Sequence, residues 1–262
     1  MRIAIERAII LLREWKIIKN LTLRNIKVKY KNTVLGFFWA LLQPLCTIVI
    51  FCFVFSYVLE TDTENFPLFL CVGILPWMFF ANSLGEATAS VISNSNLVLK
   101  INFPLAVLPL SYCLSNLIDF LFALIILLPI LYVFGTPIPL VILLHLFPII
   151  VCHLLFIMGL SLMLSVAHVF YKDIGHLLTV VLMFWFYLTP ILYPLTQVPQ
   201  EVLAFYYLNP TIYFIEGYRG VLFDSAAPQL LLYGKMLGVG LVFLLTGWLV
   251  FINKERDMVK EL

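Results

Sequence analysis

Asp119 is the one acidic side chain in the middle of a long apolar run of this chain. An ionisable group at that depth is a functional hypothesis by default, because its charge is costly to hold in hydrocarbon. Ser111, Ser115 and Asn116 precede it, the last two within a helical turn. A proton relay would need further acids or histidines, and His145 and His153 stand in the next run. Interhelical hydrogen bonding, or a polar stripe along a water-filled path, needs only the hydroxyl and amide neighbours, and it suits these residues better.

A second group lies near the start. Leu23, Ile26, Tyr30 and Val34 recur at helical spacing, and Arg24, Lys27 and Lys31 form an adjacent basic face. Such a helix rests in the membrane interface with its basic side toward anionic headgroups. Two roles fit: a topology signal with lipid contact, or a docking site for an anionic substrate such as a lipid-linked phosphate or pyrophosphate. Composition alone favours the first. Residues 3–22 carry a less regular apolar stripe suited to packing on another protein.

Aromatic residues gather at the ends of apolar runs. They include Trp77 with Phe79 and Phe80, and Trp185 and Tyr187 within an aromatic tetrad. Most suit the membrane–water interface. Sugar rings also stack on aromatic faces, which makes Trp39, Trp185, Tyr187, Tyr193, Tyr206 and Tyr213, with Asp119, candidates for a channel or gate lining. There is no G-x-x-x-x-G-K-[ST] loop to cradle ATP phosphates. Nor is there an H-E-x-x-H or G-x-S-x-G motif. The only dense acids are Glu60, Asp62 and Glu64. A membrane enzyme such as a glycosyltransferase would need an acidic cluster on the inner surface, and these are expected to face outward. The cysteines Cys46, Cys52, Cys71, Cys113 and Cys152 lie in apolar runs without metal-ligand spacing and read as packing residues.

The elements that must position these groups follow from composition. The 262 residues are 63% hydrophobic and 11% charged, against about 25% charged in soluble domains. The expected fold is therefore an all-α polytopic membrane protein, since lipid leaves no partner for an unpaired backbone group. Six runs are long and apolar: 34–59, 66–84, 103–133, 138–169, 174–195 and 229–252. The basic region before the first is too long for a cleavable signal peptide. Of the basic residues, only Arg219 and Lys235 fall on the side opposite the N-terminus. Both termini are then cytoplasmic and the number of crossings is even. Six fits, and four is the competitor if the second run only dips in.

The connection at 196–228 holds two short apolar segments, 202–208 and 211–223, split by Asn209-Pro210. Neither is long enough to cross. They are expected to re-enter the outer leaflet as a cap or gate, or to lie along its surface. The organisation is one transmembrane domain. It comprises an interface segment at 1–33, a membrane domain at 34–252 with gate helices near 201–223, and a cytoplasmic tail at 253–262.

Four places together resemble a known family. They are Lys29-Tyr30-Lys31-Asn32-Thr33-Val34-Leu35-Gly36-Phe37-Phe38-Trp39 running on to Gln43-Pro44-Leu45; Gly73-Ile74-Leu75-Pro76-Trp77; Tyr171-Lys172-Asp173-Ile174 followed by Thr189-Pro190-Ile191-Leu192-Tyr193-Pro194; and Leu208-Asn209-Pro210 with Ile215-Glu216-Gly217-Tyr218-Arg219. Their order resembles the membrane subunit of type-2 polysaccharide-exporting ABC transporters, which carry O-antigen, teichoic acid or capsule. Lys172-Asp173 stands where that family often has Arg-Asp, keeping the charge but not the bidentate fork.

The resemblance implies a homodimer in the bacterial inner membrane bound to two copies of a cytoplasmic ATPase. ATP and Mg would belong to that partner, with no cofactor in this chain. Further partners would be membrane lipids and a lipid-linked glycan, most simply O-antigen, and no nucleic acid. Arg24, Lys27, Lys31 and Tyr30 would sit at the substrate entrance. The loop at 86–100, with Glu86 and Lys100, would dock on the ATPase beside Lys172 and Asp173. An ion-coupled secondary transporter using Asp119 is the more distant alternative. Such folds often carry internal repeats, and none is visible here.

Overall fold

The computed structural model describes residues 14–54, 65–100, 103–134 and 137–262. The acids Glu60, Asp62 and Glu64 and the N-terminal cations Arg2, Arg7 and Arg13 lie outside the described residues. Among the described residues every regular element is helical. In chain order they are α1 (Trp15–Tyr30), a 3-10 turn (Gly36–Phe38), α2 (Trp39–Phe53), α3 (Phe66–Ser93), α4 (Ser95–Lys100), α5 (Val107–Phe134), α6 (Leu140–Leu143), α7 (Leu146–Phe170), α8 (Ile174–Leu188), a 3-10 turn (Leu195–Gln197), α9 (Gln200–Tyr206), α10 (Thr211–Leu222) and α11 (Leu230–Glu261).

Each of the six apolar runs meets a helix. Among the described residues four stretches are long and apolar enough to cross a membrane: Phe66–Ser93, Val107–Val133, Leu140–Phe170 and Leu230–Glu261. Ile174–Leu188 is a shorter apolar helix. It ends where Thr189, extended at φ −100° and ψ 132°, precedes Pro190. A residue before proline is pushed out of the helical region, so the run expected to reach 195 stops early.

The segment at 85–102, expected as a loop, is helical through Ser93. Leu84, Ala87, Thr88 and Val91 are buried at i, i+3, i+4 and i+7, so an inward stripe continues although the sequence turns polar. Glu86 is therefore a helix residue. At the other end of the chain α11 runs past the expected limit of 252. Its last turns carry Lys254 and Lys260 at 3.9 and 3.5 Å from Asp257.

The helix α3 is the centre of the bundle, packed against α5, α7 and α10. Its Phe79 and Phe80 join Phe156, Phe214, Tyr218 and His153 in a buried aromatic core. Phe80 and Phe156 stack at 5.6 Å, and His153 lies 4.7 Å from Phe214. A second core gathers Ile18, Leu21, Val98, Leu108, Leu162, Val166, Phe251 and Met258, where α1 and α4 meet the ends of α7 and α11. The pair α7 and α11 is the most extensive helix contact. Glycine makes it possible: a Cβ on Gly247 would fall on the Gly159 carbonyl, and one on Gly240 would come 2.8 Å from the Cys152 carbonyl. Small residues let membrane helices approach to backbone contact. Cys71, Cys113 and Cys152 are buried, as packing residues should be, whereas Cys46 is exposed.

Candidate functional site

The first helix packs on the bundle through a face distinct from the Leu23–Val34 stripe expected to rest in the membrane interface. Ile18, Leu21, Thr22 and Asn25 are its buried residues, while Leu23 is 44% and Val34 100% exposed. The inward stripe is thus mixed polar and apolar, and α5 presents a matching one. Thr22 Oγ1 donates to the Ser111 carbonyl at 3.4 Å, and Asn25 Nδ2 to Ser111 Oγ at 3.1 Å. Two turns on, Lys29 completes the stripe. Its ammonium lies 3.0 Å from Glu86 Oε1 and 3.0 Å from Asp119 Oδ2, and donates to Asn116 Oδ1 at 3.1 Å. Three N–H groups meet three acceptors, which satisfies the lysine completely. Asn116 Nδ2 closes the circuit by donating to Glu86 Oε2 at 2.6 Å.

This geometry gives Asp119 the interhelical role its neighbours suggested. Among the described residues no contact joins it to His145 or His153. His145 Nδ1 is 2.8 Å from the Tyr233 hydroxyl, and His153 Nδ1 is 3.4 Å from that of Tyr218. Burial works against the charged Lys29, but Glu86 and Asp119 outweigh it and hold the ammonium above its ordinary value. The Tyr30 phenol is raised by burial and further by Asp119, to which it is hydrogen-bonded, and by Glu86. Lys29 stays a cation and Tyr30 stays protonated. Lys29, which the sequence marks only as the first residue of the Lys29–Trp39 motif, is thus a site residue. The signal was Thr22, Asn25 and Lys29, at i, i+3 and i+7 on one helix face.

Beside the cluster is a cavity of about 340 Å3. Tyr30, Thr33, Trp39 and Gln43 border it from the α1–α2 side, Phe79 and Asn82 from α3, and Asn116, Asp119 and Phe120 from α5. The structure so brings Tyr30, Trp39 and Asp119 together.

Arg24, Lys27 and Lys31 occupy another face of α1, with Asn20, Leu23 and Val28. Arg24 donates to Asn94 Oδ1, and none of the three has a described ion pair. The helix has sorted its cations: Lys29 is neutralised by the bundle, and Arg24, Lys27 and Lys31 form a positive strip with no compensating acid among the described residues.

At the far end of the bundle the remaining aromatic candidates form a connected network. Trp185 Nε1 donates to Asn209 Oδ1 at 2.7 Å, and Asn209 Nδ2 donates to Thr189 Oγ1 at 2.9 Å. The Tyr193 hydroxyl donates to the Tyr187 carbonyl at 2.8 Å and lies 3.0 Å from that of Tyr206. Tyr213 donates to the Tyr207 carbonyl at 2.7 Å. Arg219, 4% exposed, donates to the Pro190 carbonyl and to the Ile191 carbonyl at 2.8 Å, and its guanidinium lies 3.8 Å over the Phe69 ring. Two distant motifs, Thr189–Pro194 and Asn209–Arg219, are thereby one structural unit.

Lys100 ends α4, and Lys172 and Asp173 form the turn between α7 and α8; all three are exposed. Glu86 is not with them, being engaged by Lys29.

A family model described as ABC-2 type transporter matches residues 17–223. The chain is 29% identical over 251 residues to the O-antigen export system permease protein RfbA of Myxococcus xanthus, covering 93% of this chain and 94% of that protein. It is 32% identical over 200 residues to a protein of the same description from Klebsiella pneumoniae, covering 76% and 77%. The polysialic acid transport protein KpsM of Escherichia coli is 22% identical over 250 residues, covering 92% and 95%.

Proposed function

Since the chain belongs to the ABC-2 type transporter family, we propose that it is the permease subunit of an ATP-driven exporter of a lipid-linked polysaccharide, O-antigen in the first place. The matches named for O-antigen export reach 29–32% identity, while the one named for polysialic acid transport stands at 22%, which favours O-antigen over capsule. ATP and its Mg would be handled by a separate subunit, in two copies, because this chain carries no phosphate-binding loop. The chain crosses the inner membrane six times, using the four long helices together with α2 and α8, and both termini are cytoplasmic. The apolar, exposed outer face of α8, with Leu177, Val181, Phe184 and Leu188, is suited to a second copy across a shared channel. The network around Asn209 and Arg219 closes the outer end.

The observation that carries the substrate assignment is the sorting of cations on α1. Arg24, Lys27 and Lys31 project from one face without a compensating acid among the described residues, which suits recognition of a phosphate or diphosphate headgroup. Replacing all three with Gln tests it. Export of glycan to the cell surface is expected to fall at least severalfold, while the permease still co-purifies with itself and with an ATPase subunit. Unchanged export would refute the headgroup role, and failure to co-purify any ATPase would refute the exporter.

A further inference from the structure

The two cations expected on the side opposite the N-terminus are used differently. Arg219 is buried, with its guanidinium on the Pro190 and Ile191 carbonyls and 3.4 Å from Glu216 Oε1. Lys235, in the second turn of α11, is exposed and has no ion pair among the described residues. Its neighbours are aromatic: the ammonium lies 5.7 Å from the centre of the Tyr207 ring and 5.3 Å from that of Tyr213. The two rings lie nearly parallel, 6.4 Å apart. Ring faces attract a cation but do not neutralise it. Beside them is a cavity of about 430 Å3, bordered by Lys235 and Leu231 of α11, Tyr213 and Glu216 of α10, and Tyr207 and Pro228. Glu216 and Lys235 thus share one cavity, yet no described ion pair joins them. The Glu216 side chain is partly exposed, and its Oε2 makes no described hydrogen bond.

Opposite charges that border one cavity without meeting suit a zwitterion. An anion alone would find Lys235 but also the Glu216 carboxylate, and a cation alone would find Glu216 but also Lys235. A phosphate joined to an amine by a short linker satisfies both. The surface below the cavity points to a lipid as its source. Leu231, Lys235, Val242 and Leu245 are all exposed and recur at i, i+4, i+11 and i+14, one face of α11. Between them a Cβ on Gly238 would meet nothing within 4 Å. The face is therefore a shallow apolar track with a charged group at its head, as a phospholipid needs. Among phospholipids the carboxylate selects further. A primary ammonium donates charge-assisted hydrogen bonds to it, whereas choline has no N–H to give and a glycerol headgroup has no positive charge.

We propose that this cavity binds the headgroup of a phosphatidylethanolamine from the leaflet at that end of the bundle. The phosphate pairs with Lys235, the ammonium donates to Glu216, and the acyl chains cover the face of α11 below Lys235. The bound lipid joins α10 to the start of α11, so the short helices are fastened to the bundle through it. A volume of about 430 Å3 lies within the usual range for ligand sites, about 300–1,000 Å3. The site is separate from the positive strip of α1 and does not depend on which cargo is exported.

Native mass spectrometry of the full chain in detergent, titrated with lipids, tests the site. The probes are phosphatidylethanolamine, phosphatidylcholine and phosphatidylglycerol with the same acyl chains. The chain is expected to hold phosphatidylethanolamine about fivefold or more tighter than either of the others, roughly the worth of one net hydrogen bond. Lys235→Gln alters an exposed side chain, so the fold is kept, and it is expected to bring that preference down toward one. Glu216→Gln is expected to remove the discrimination against phosphatidylglycerol, because the repelling charge is gone. Water-soluble glycerophosphoethanolamine at the concentration of the lipid is expected not to displace it, since it lacks the chains. An equal or tighter hold on phosphatidylcholine or phosphatidylglycerol in the unaltered chain would overturn the site. So would a preference that survives Lys235→Gln, and displacement by the soluble headgroup would overturn its assignment to a lipid.

Discussion

The Lys29 ammonium lies 3.0 Å from the Asp119 carboxylate, which fastens the last turn of α1 to the middle of α5. A cation from outside the long apolar runs thus neutralises the acid within one. Neither group would be tolerated there alone.

Lys29→Met would leave Glu86 and Asp119 facing each other without a counter-charge. We expect a loss of about 1–3 kcal/mol, the cost of stranding partly buried polar groups, read as a lowered Tm in detergent and as faster proteolysis within residues 15–30. Adding Asp119→Asn, which removes one of the stranded charges, should recover part of the loss. A Tm equal to that of the unaltered chain in the single variant would show that the ion pair contributes nothing to docking.

Arg219→Lys should behave almost as poorly as Arg219→Met. The guanidinium reaches the Pro190 and Ile191 carbonyls at once and lies over Phe69, a fork and a stacking surface that an ammonium does not offer. Glycan export by either variant is expected to drop at least tenfold, measured against permease recovered from the membrane. Full export by the lysine variant would show that charge alone suffices.

Gly247→Ala should destabilise strongly, because its new methyl would meet the Gly159 carbonyl. Gly238→Ala is the control, since a Cβ there meets nothing within 4 Å. The first is expected to cost about 1–3 kcal/mol, the range for overpacking, and the second to leave Tm unchanged. Matching melting curves for the two would disprove a tight α7–α11 contact.

The helices were legible because uninterrupted apolar sequence in lipid has only one backbone solution. The break after Leu188 was missed, since apolar content carries the run to 195 although Thr189-Pro190 holds the stop signal. The inward face of α1 was not legible either. In water the apolar stripe marks the buried side, but next to lipid the outward side is apolar as well, so the stripe of Leu23 and Val34 did not reveal which residues meet the bundle. Glu86 misled in the same way. It looked like the start of a loop because its partner, Lys29, lies 57 positions earlier (86 − 29). Asp119 and its polar neighbours were recognisable as a site, and Arg24, Lys27 and Lys31 as a face. Their separation from Lys29 became visible only once α3 and α5 supplied the competing acids. The joining of Arg219 to Pro190 and Ile191 left no periodic trace, since it depends on α10 meeting the loop that follows α8.

The backbone contact of Gly159 with Gly247 has a mechanical meaning. Two helices without side chains between them at one crossing have little freedom to slide or roll past each other there. The 32-residue α11, about 48 Å long at 1.5 Å per residue, is therefore braced along its length by α7. Close contact of this kind makes the pair a stiff strut between the end near Asp257 and the end near Leu230.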